Sequence, residues 1–300
     1  MKRLFIVNPL SERVSRKGSV LEQLTSDDSP IVHLNTFDGL PEAVSRAAED
    51  NIEHVIIEGG DGTVQGVISE FLRQEERFVN FPKFSIIPSG MTNQVSKNIG
   101  LTSAKKRRVI ARLSSSQLKA TTLPLLILSG GNEPEQSGFL FSTGAIPQIT
   151  NYTKSQLHGK GIGGSLAVIG GVIKAIRGND DTLMQSSAID IKDIYQGDHL
   201  GTVLTTLPSL LLGLDPFWGK GDVPLRFTWA TAEYKKLGRN IVSLWLGRKS
   251  KDRSHDGLFS KNCDQLDFNY SGPVVLDGEF LSFPTGKFTI RPSRPVTFLH

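Results

Sequence analysis

Four short apolar runs open the chain: Arg3–Val7, Ile31–Leu34, His54–Ile57 and Phe84–Pro88. Asn8-Pro9 stops the first, because proline disfavours helix for the residue before it. Between the runs, Pro41–Glu49, Thr63–Arg73 and Thr92–Asn98 carry apolar residues three or four apart, the spacing of one helical face. Continuous β-branched runs alternating with amphipathic helices predict βαβ units and a parallel sheet covered on both faces.

The pattern changes near residue 120. A basic helix is expected over Ala104–Leu113, followed by the serine hinge Ser114–Ser116. Beyond it the expected strands are short and closely spaced: Leu123–Leu128, Gly138–Ser142, Thr202–Leu207, Leu225–Ala230, Ile241–Leu246 and Lys287–Arg291. Turn formers such as Gly130-Gly131-Asn132 and Asp277-Gly278 separate them, and one helix, Leu166–Ile176, interrupts the series. The reading is an α/β domain over residues 1–118 and an antiparallel β domain with a helical insertion over residues 119–293.

Composition narrows the setting. Of 300 residues, 34 are Lys or Arg and 30 Asp or Glu, a formal charge of +4 that suits an anionic partner but is too small to indicate nucleic acid. The single cysteine, Cys263, excludes an internal disulfide and a thiolate-rich metal site, and favours a reducing compartment. Met-Lys-Arg followed at once by a strand does not resemble a signal peptide. The apolar stretch Gly163–Ile176 is broken by glycine and carries Lys174, so it is not expected to span a bilayer. A cytoplasmic protein that visits a membrane surface is the expectation.

The most informative segment is His54–Ile68, in which a buried strand ends in Gly59-Gly60-Asp61-Gly62-Thr63 and a helix is expected from Thr63. Glycines let the backbone approach a ligand closely, and the helix N-terminus that follows suits phosphate. Asp61, at the carboxyl end of the strand, has the chemistry to accept a hydroxyl proton or to help hold magnesium. The plainer reading is a glycine turn with Asp61 or Thr63 as a helix cap. Two more strand-to-helix loops, Asn8-Pro9-Leu10-Ser11 and Pro88-Ser89-Gly90-Met91-Thr92-Asn93, favour a nucleotide site over that reading. Neither the dinucleotide nor the P-loop signature is present.

In order and spacing these three loops resemble the catalytic domain of the diacylglycerol kinase family, which includes bacterial soluble lipid kinases and sphingosine kinases. That family carries N-P-x-S-G, then G-G-D-G-T, then P-x-G-T-x-N-D. His255-Asp-Gly-Leu258 and Leu276-Asp-Gly-Glu279 are similar to its later D-G-L and D-G-E segments. G-G-D-G-T alone is shared with NAD kinases and phosphofructokinases; the set is more specific. The resemblance implies a Rossmann-like nucleotide domain followed by an antiparallel β-sandwich, the last strand (about residues 294–300) returning to the first domain. It implies that Asn8, Gly59, Gly60, Gly62, Thr63, Ser89, Gly90, Thr92 and Asn93 surround ATP. It further implies that Asp61 sits by the transferred phosphoryl group and its Mg2+, that Glu279 faces it as base or metal ligand, and that Asp256 marks a structural magnesium.

Several positions depart from the family pattern. Glu12 replaces the glycine of N-P-x-S-G, Gly66 a carboxylate after the glycine turn, Met91 a threonine, and Gln94 an aspartate. The expected function is transfer of the γ-phosphoryl of ATP to a lipid hydroxyl, diacylglycerol-like, with Asp61 or Glu279 taking the proton. The alternatives are a non-catalytic nucleotide or lipid sensor, suggested by these departures, and a soluble-substrate kinase like NAD kinase. Lys105–Arg108 with Arg112 is either a solvated face or a contact for anionic lipid. Arg13, Arg16 and Lys17 either meet phosphate or solvate a loop. The apolar stretches Leu204–Leu214 and Gly161–Ile176 either pack a core or line an acyl slot, and Phe217 and Trp218 are core or interfacial. A homodimer is compatible with the sequence.

Overall fold

The structure is a computed structural model that describes residues 1–24, 30–90, 93–101, 106–113, 118–131, 134–149, 185–210, 214–236, 239–240, 243, 253–281 and 286–300. The chain forms two units, 1–123 with 294–300, and 124–293.

In the first unit the apolar runs become β1 (Arg3–Val7), β2 (Ile31–His33), β3 (His54–Gly59) and β4 (Lys83–Pro88), parallel in the order β2-β1-β3-β4. Two later strands extend the sheet: β17 (Val296–Leu299), parallel to β4, and β5 (Ala120–Leu123), antiparallel to β17. The helices are α1 (Glu12–Lys17), α2 (Leu40–Glu49), α3 (Asp61–Arg73), α4 (Gln94–Ile99) and α5 (Lys106–Leu113). Phe5, Val7, Ile56 and Ile87 pack under Val14 of α1 and Val109 and Leu113 of α5. The alternate residues Ile6, Val55, Ile57 and Ile86 are equally buried, as a sheet covered on both faces demands.

A buried polar chain ties three of these strands. The Ser85 hydroxyl donates to the Leu299 carbonyl (2.7 Å), so His54 Nε2–H donates to Ser85 Oγ (2.9 Å). His54 Nδ1 is buried with no partner, and burial, then the charges of Arg3 and Lys83, lowers its pKa to about 4. The ring is therefore neutral at pH 7.

The second unit is one eleven-stranded antiparallel sheet that splits and covers itself. Its long strand β10 (Tyr195–Thr205) pairs along one edge with β9 (Ser187–Ile191) and then, past an irregularity at His199–Gly201, with β8 (Leu140–Gly144). From β8 the sheet continues through β14 (Val274–Leu276) to β15 (Glu279–Leu281). From β9 it runs through β13 (Leu266–Tyr270), β16 (Gly286–Pro292) and β6 (Leu126–Ser129) to β7 (Gln136–Gly138). The other edge of β10 carries β11 (Leu225–Thr231) and then β12 (Leu258–Cys263). The two branches share one core, where Phe141 of β8 meets Phe268 of β13 and Phe288 of β16 at ring distances of 5.8 and 5.9 Å. At the split, His199 donates from Nδ1 to the Ser187 carbonyl of β9 (2.7 Å) and accepts at Nε2 from Thr143 of β8 (2.8 Å).

Two expectations need correction. The helix of the glycine segment starts at Asp61, not Thr63. Within the expected strand Ile241–Leu246 only Ser243 is described, and it is helical. The helix expected over Leu166–Ile176 and the acyl-slot candidate Gly161–Ile176 lie outside the described residues. Phe217 is buried beneath the Arg226 guanidinium, and Trp218 lies beneath that of Arg253. Among the described residues no helix is long and apolar enough to cross a membrane.

Candidate active site

The carboxyl ends of β1, β3 and β4 lead into the three expected loops, and hydrogen bonds lock those loops together. The Asn8 amide nitrogen of the backbone donates to the Glu58 carbonyl (3.0 Å), and its side chain donates to Thr63 Oγ1 (2.8 Å). Asn8 Oδ1 accepts from Leu10 N (2.9 Å), an Asx turn that shapes its own loop. Ser89 N donates to the Gly59 carbonyl (3.0 Å), and the Ser89 carbonyl accepts from Arg13 N (2.9 Å). Asn93 clips its loop shut, accepting at Oδ1 from Gly90 N (2.9 Å) and donating to the Gly90 carbonyl.

The glycines are explained by proximity, not by left-handed turns. A Cβ on Gly90 would lie 2.7 Å from the Gly60 Cα, and one on Gly60 3.2 Å from the Gly90 Cα. Two backbones meet there, so no side chain can move aside. A Cβ on Gly59 would strike Thr63 at 2.6 Å, whereas Gly62 faces open space.

Asp61 is the first residue of α3, and its carboxylate reaches across to the start of α4. Oδ2 accepts from Gln94 N and Oδ1 from Val95 N, both at 2.9 Å. Those are the first two amides of α4, whose own cap residue Asn93 makes no side-chain cap and sits at φ 50°. Asp61 thus caps α4, a role that no local sequence pattern signals. Burial raises its pKa, and the two amides and then Lys97 partly offset the rise.

These residues fit a nucleotide and its magnesium. Ser89 Oγ is buried with no hydrogen-bond partner, and the bare Gly60–Gly90 approach and open Gly62 leave a surface that a side chain would fill. Each Asp61 oxygen accepts one amide and has lone-pair capacity left, enough for one ligand of an ion that takes most of its oxygens from phosphates and water. Among the described residues no three His, Cys, Asp or Glu side chains cluster as a protein-only metal cage. Thr92 and Met91 lie outside the described residues.

The later candidates belong to the second unit. Glu279 opens β15 and is exposed, directly after a turn in which Asp277 (φ 51°) and Gly278 (φ 91°) are both left-handed. Asp277 itself accepts from Phe139 N and Leu140 N (2.8 Å for the closest), fixing the hairpin to β8. Asp256 lies in a short turn closed by Gly257 (φ 74°), accepting from Asn240 Nδ2 (2.9 Å) with the Lys236 ammonium at 3.5 Å. The Asn240 hydrogen bond, with Lys236 and Arg239, holds its carboxyl below the usual range. An ammonium already balances this carboxylate.

The departures from the family pattern have local causes. Glu12 opens α1, where a negative charge suits the helix dipole, and pairs with Arg16 at 3.3 Å. A Cβ on Gly66 would lie 2.5 Å from the ring of Phe37, so the ring takes the place of a side chain there. Burial pushes the Cys263 thiol up to about 11, which keeps it protonated and unreactive. Sequence reasoning missed Glu58, which is fully buried beside the glycine loop; a carboxylate at the end of an otherwise apolar strand was the available signal.

Comparison with known proteins agrees with this arrangement. The profile of the diacylglycerol kinase catalytic domain matches residues 2–124. The mitochondrial acylglycerol kinases of Xenopus laevis and Homo sapiens are each 30% identical over 134 residues, covering 41% of this chain and 31% of theirs. The match thus spans about a third of the length of those relatives. The crystal structure of a diacylglycerol kinase from Bacillus anthracis strain Sterne aligns over 100% of this chain and 96% of its own, with a TM-score of 0.61 at 16% identity. The two-unit fold is that of the diacylglycerol kinase-like kinases, and the similarity to the diacylglycerol kinase catalytic-domain family lies in residues 2–124.

Proposed function

We propose that this chain is a lipid kinase that transfers the γ-phosphoryl group of ATP to a lipid hydroxyl, diacylglycerol-like in class. The observation that carries the reading is the interlocking of the Asn8, Gly59–Thr63 and Gly90–Asn93 loops around the bare Gly60–Gly90 approach. When bound, magnesium would supply charge neutralisation on the phosphates, with Asp61 as its ligand from this chain. Asn8, Thr63, Ser89 and Asn93 position the nucleotide through their loops, and Gly62 leaves its backbone accessible. Asp61 or Glu279 takes the acceptor's proton. Phosphoryl transfer asks mainly for positioning and charge neutralisation, and this residue set suffices for both. The magnesium assignment is kept to Asp61, because Lys236 already neutralises Asp256.

The membrane contact is assigned to α5 and the neighbouring sheet edge. Arg108 and Arg112 are exposed one turn apart, and Lys119 is exposed beside β5. Among the described residues none of the three has a carboxylate partner, whereas Arg13, Arg46, Arg226 and Arg291 all do. Such a patch complements an anionic bilayer at about 1 kcal/mol per cation.

A second reading has its own support: Asp61 already serves α4, and Gly66 offers no carboxylate, so the site could bind a nucleotide without turning it over. One experiment separates the two. Purified protein is given labelled ATP, magnesium and a panel of hydroxyl lipids in vesicles with and without phosphatidylserine. Label is expected in one lipid product, about a hundredfold less in Asp61→Asn, and the gain from phosphatidylserine is expected to vanish in Arg108→Gln/Arg112→Gln. Nucleotide binding without any labelled lipid would establish the binding-only reading.

A further inference from the structure

The Glu58 side chain is completely buried, one residue before the glycine loop. Its carboxylate accepts from Ser19 Oγ (2.7 Å), Val20 N (2.9 Å) and Leu21 N (3.1 Å), and pairs with Arg13 Nη1 at 2.9 Å. Ser19, Val20 and Leu21 follow α1, so one side chain anchors both that helix and its exit. The main chains of the same two residues serve the loops directly. The Glu58 carbonyl accepts from Asn8 N, and Arg13 N donates to the Ser89 carbonyl. Between them the pair therefore bonds to the loop after β1 and the loop after β4, and Glu58 itself leads along the chain into Gly59 and the third loop.

We propose that Glu58 and Arg13 form a positioning pair that sets the three strand-end loops at the spacing the nucleotide needs and cancels a buried negative charge beside its phosphates. The second half of this inference rests on the nucleotide-site reading above; the first half does not. A carboxylate placed next to an anion site opposes the ligand unless a cation stays with it. Arg13 is suited to that task because its planar guanidinium stays charged under all ordinary conditions. Glu58 alone would anchor α1 through neutral donors but would repel phosphate. Arg13 alone would add a cation where the loop geometry has been built around a balanced pair.

Charge balance has a signature that packing alone lacks, namely recovery in the double variant. Arg13→Gln leaves Glu58 uncompensated, and magnesium-ADP affinity is expected to fall about tenfold or more. Arg13→Gln/Glu58→Gln removes both charges and is expected to return affinity to within about threefold of wild type. A double variant as weak as, or weaker than, Arg13→Gln would overturn the charge role. Should Arg13→Gln fail to fold, Arg13→Lys keeps the charge without the fork and is expected to bind more weakly than the Glu58→Gln/Arg13→Lys pair, which leaves a cation and no carboxylate beside the phosphates; equal affinity would overturn the charge role. Amide hydrogen exchange at Asn8, Leu10 and Ser89 gives a readout that needs no nucleotide. Faster exchange in Arg13→Gln, restored in the double variant, is expected even if wild type binds no ADP, in which case the positioning role stands and the nucleotide site falls. Unchanged exchange at those amides would overturn the positioning role.

Discussion

Asp61-Gly62 and Asp256-Gly257 look alike on paper, and the fold treats them in opposite ways. In the first unit Asp61 opens a helix, and its carboxylate is buried against backbone amides of another helix. Burial is the dominant influence there and raises the pKa. In the second unit Asp256 lies in a turn that needs Gly257 at positive φ, and its carboxylate faces the Asn240 amide and two cations. Its pKa falls. An Asp-Gly pair specifies where a chain can turn, but the neighbours that set the carboxylate's charge come from elsewhere: Gln94 and Val95 for one, Asn240 and Lys236 for the other. A buried carboxylate held by neutral dipoles is poised for a cation or a proton. One already paired with an ammonium is poised for neither, and its role is to hold a turn.

The largest effect that would sharpen this contrast is steric. Gly90→Ala places a methyl group 2.7 Å from the Gly60 Cα, and only backbone movement can relieve it. We expect a loss of about 3 kcal/mol in urea unfolding, the upper part of the range for overpacking, with nucleotide binding abolished. Gly62→Ala, two residues from the same contact, meets nothing within 4 Å and is expected to be neutral or slightly stabilising. If both substitutions proved harmless, the loops would not be locked as described.

A second test keeps burial as the cause but changes the sign of the charge. His54 sits at the opposite end of β3 from the glycine loop, neutral, with its pKa lowered from 6.5 to about 4. The unfolded chain binds a proton below pH 6.5 while the folded chain resists until about 4, so this contribution is full above 6.5 and is lost as pH falls toward 4. The loss is on the order of 3 kcal/mol. Urea unfolding of wild type and His54→Gln at pH 7 and pH 4.5 should show most of that difference. Equal acid sensitivity in the two proteins would mean that the ring is not buried neutral.

How much of this was legible beforehand follows from where each cause resides. The parallel sheet was readable because β1, β3 and β4 are apolar on both faces, a local property of each run. The glycine loop and its two companions were readable as strand ends followed by helices. The reason for Gly60 and Gly90 was not, because each glycine is required by the other across 30 residues of sequence. The same holds for Asp61 as the cap of α4 and Asp277 as the anchor of β8. Both carboxylates act on amides distant in sequence, and no local propensity encodes that. Gly66 read as a loss of chemistry and proves to be a packing site for Phe37, a residue that attracted no notice as part of a polar loop.

The smallest expected effect is the most direct test of the opening contrast, because the two aspartates should respond to pH with opposite signs. Asp61 holds its proton more tightly folded than unfolded, so its ionisation is a cost that is absent below the ordinary value of 3.8 and complete once pH has passed the raised folded value. Asp61→Asn should therefore gain stability relative to wild type as pH rises from 3 toward 7 (roughly, the range spanning both states). Asp256 holds its proton less tightly when folded, so its contribution is present above 3.8 and is lost as pH falls through the lowered folded value. Asp256→Asn should lose stability relative to wild type over the same rise, modestly, since Lys236 is exposed, and less in high salt. Thermal unfolding of the three proteins across this range measures both slopes at once. Slopes of the same sign would mean that the two carboxylates share one kind of environment, and that what separates a poised aspartate from a turn-holding one here is something other than burial and charge.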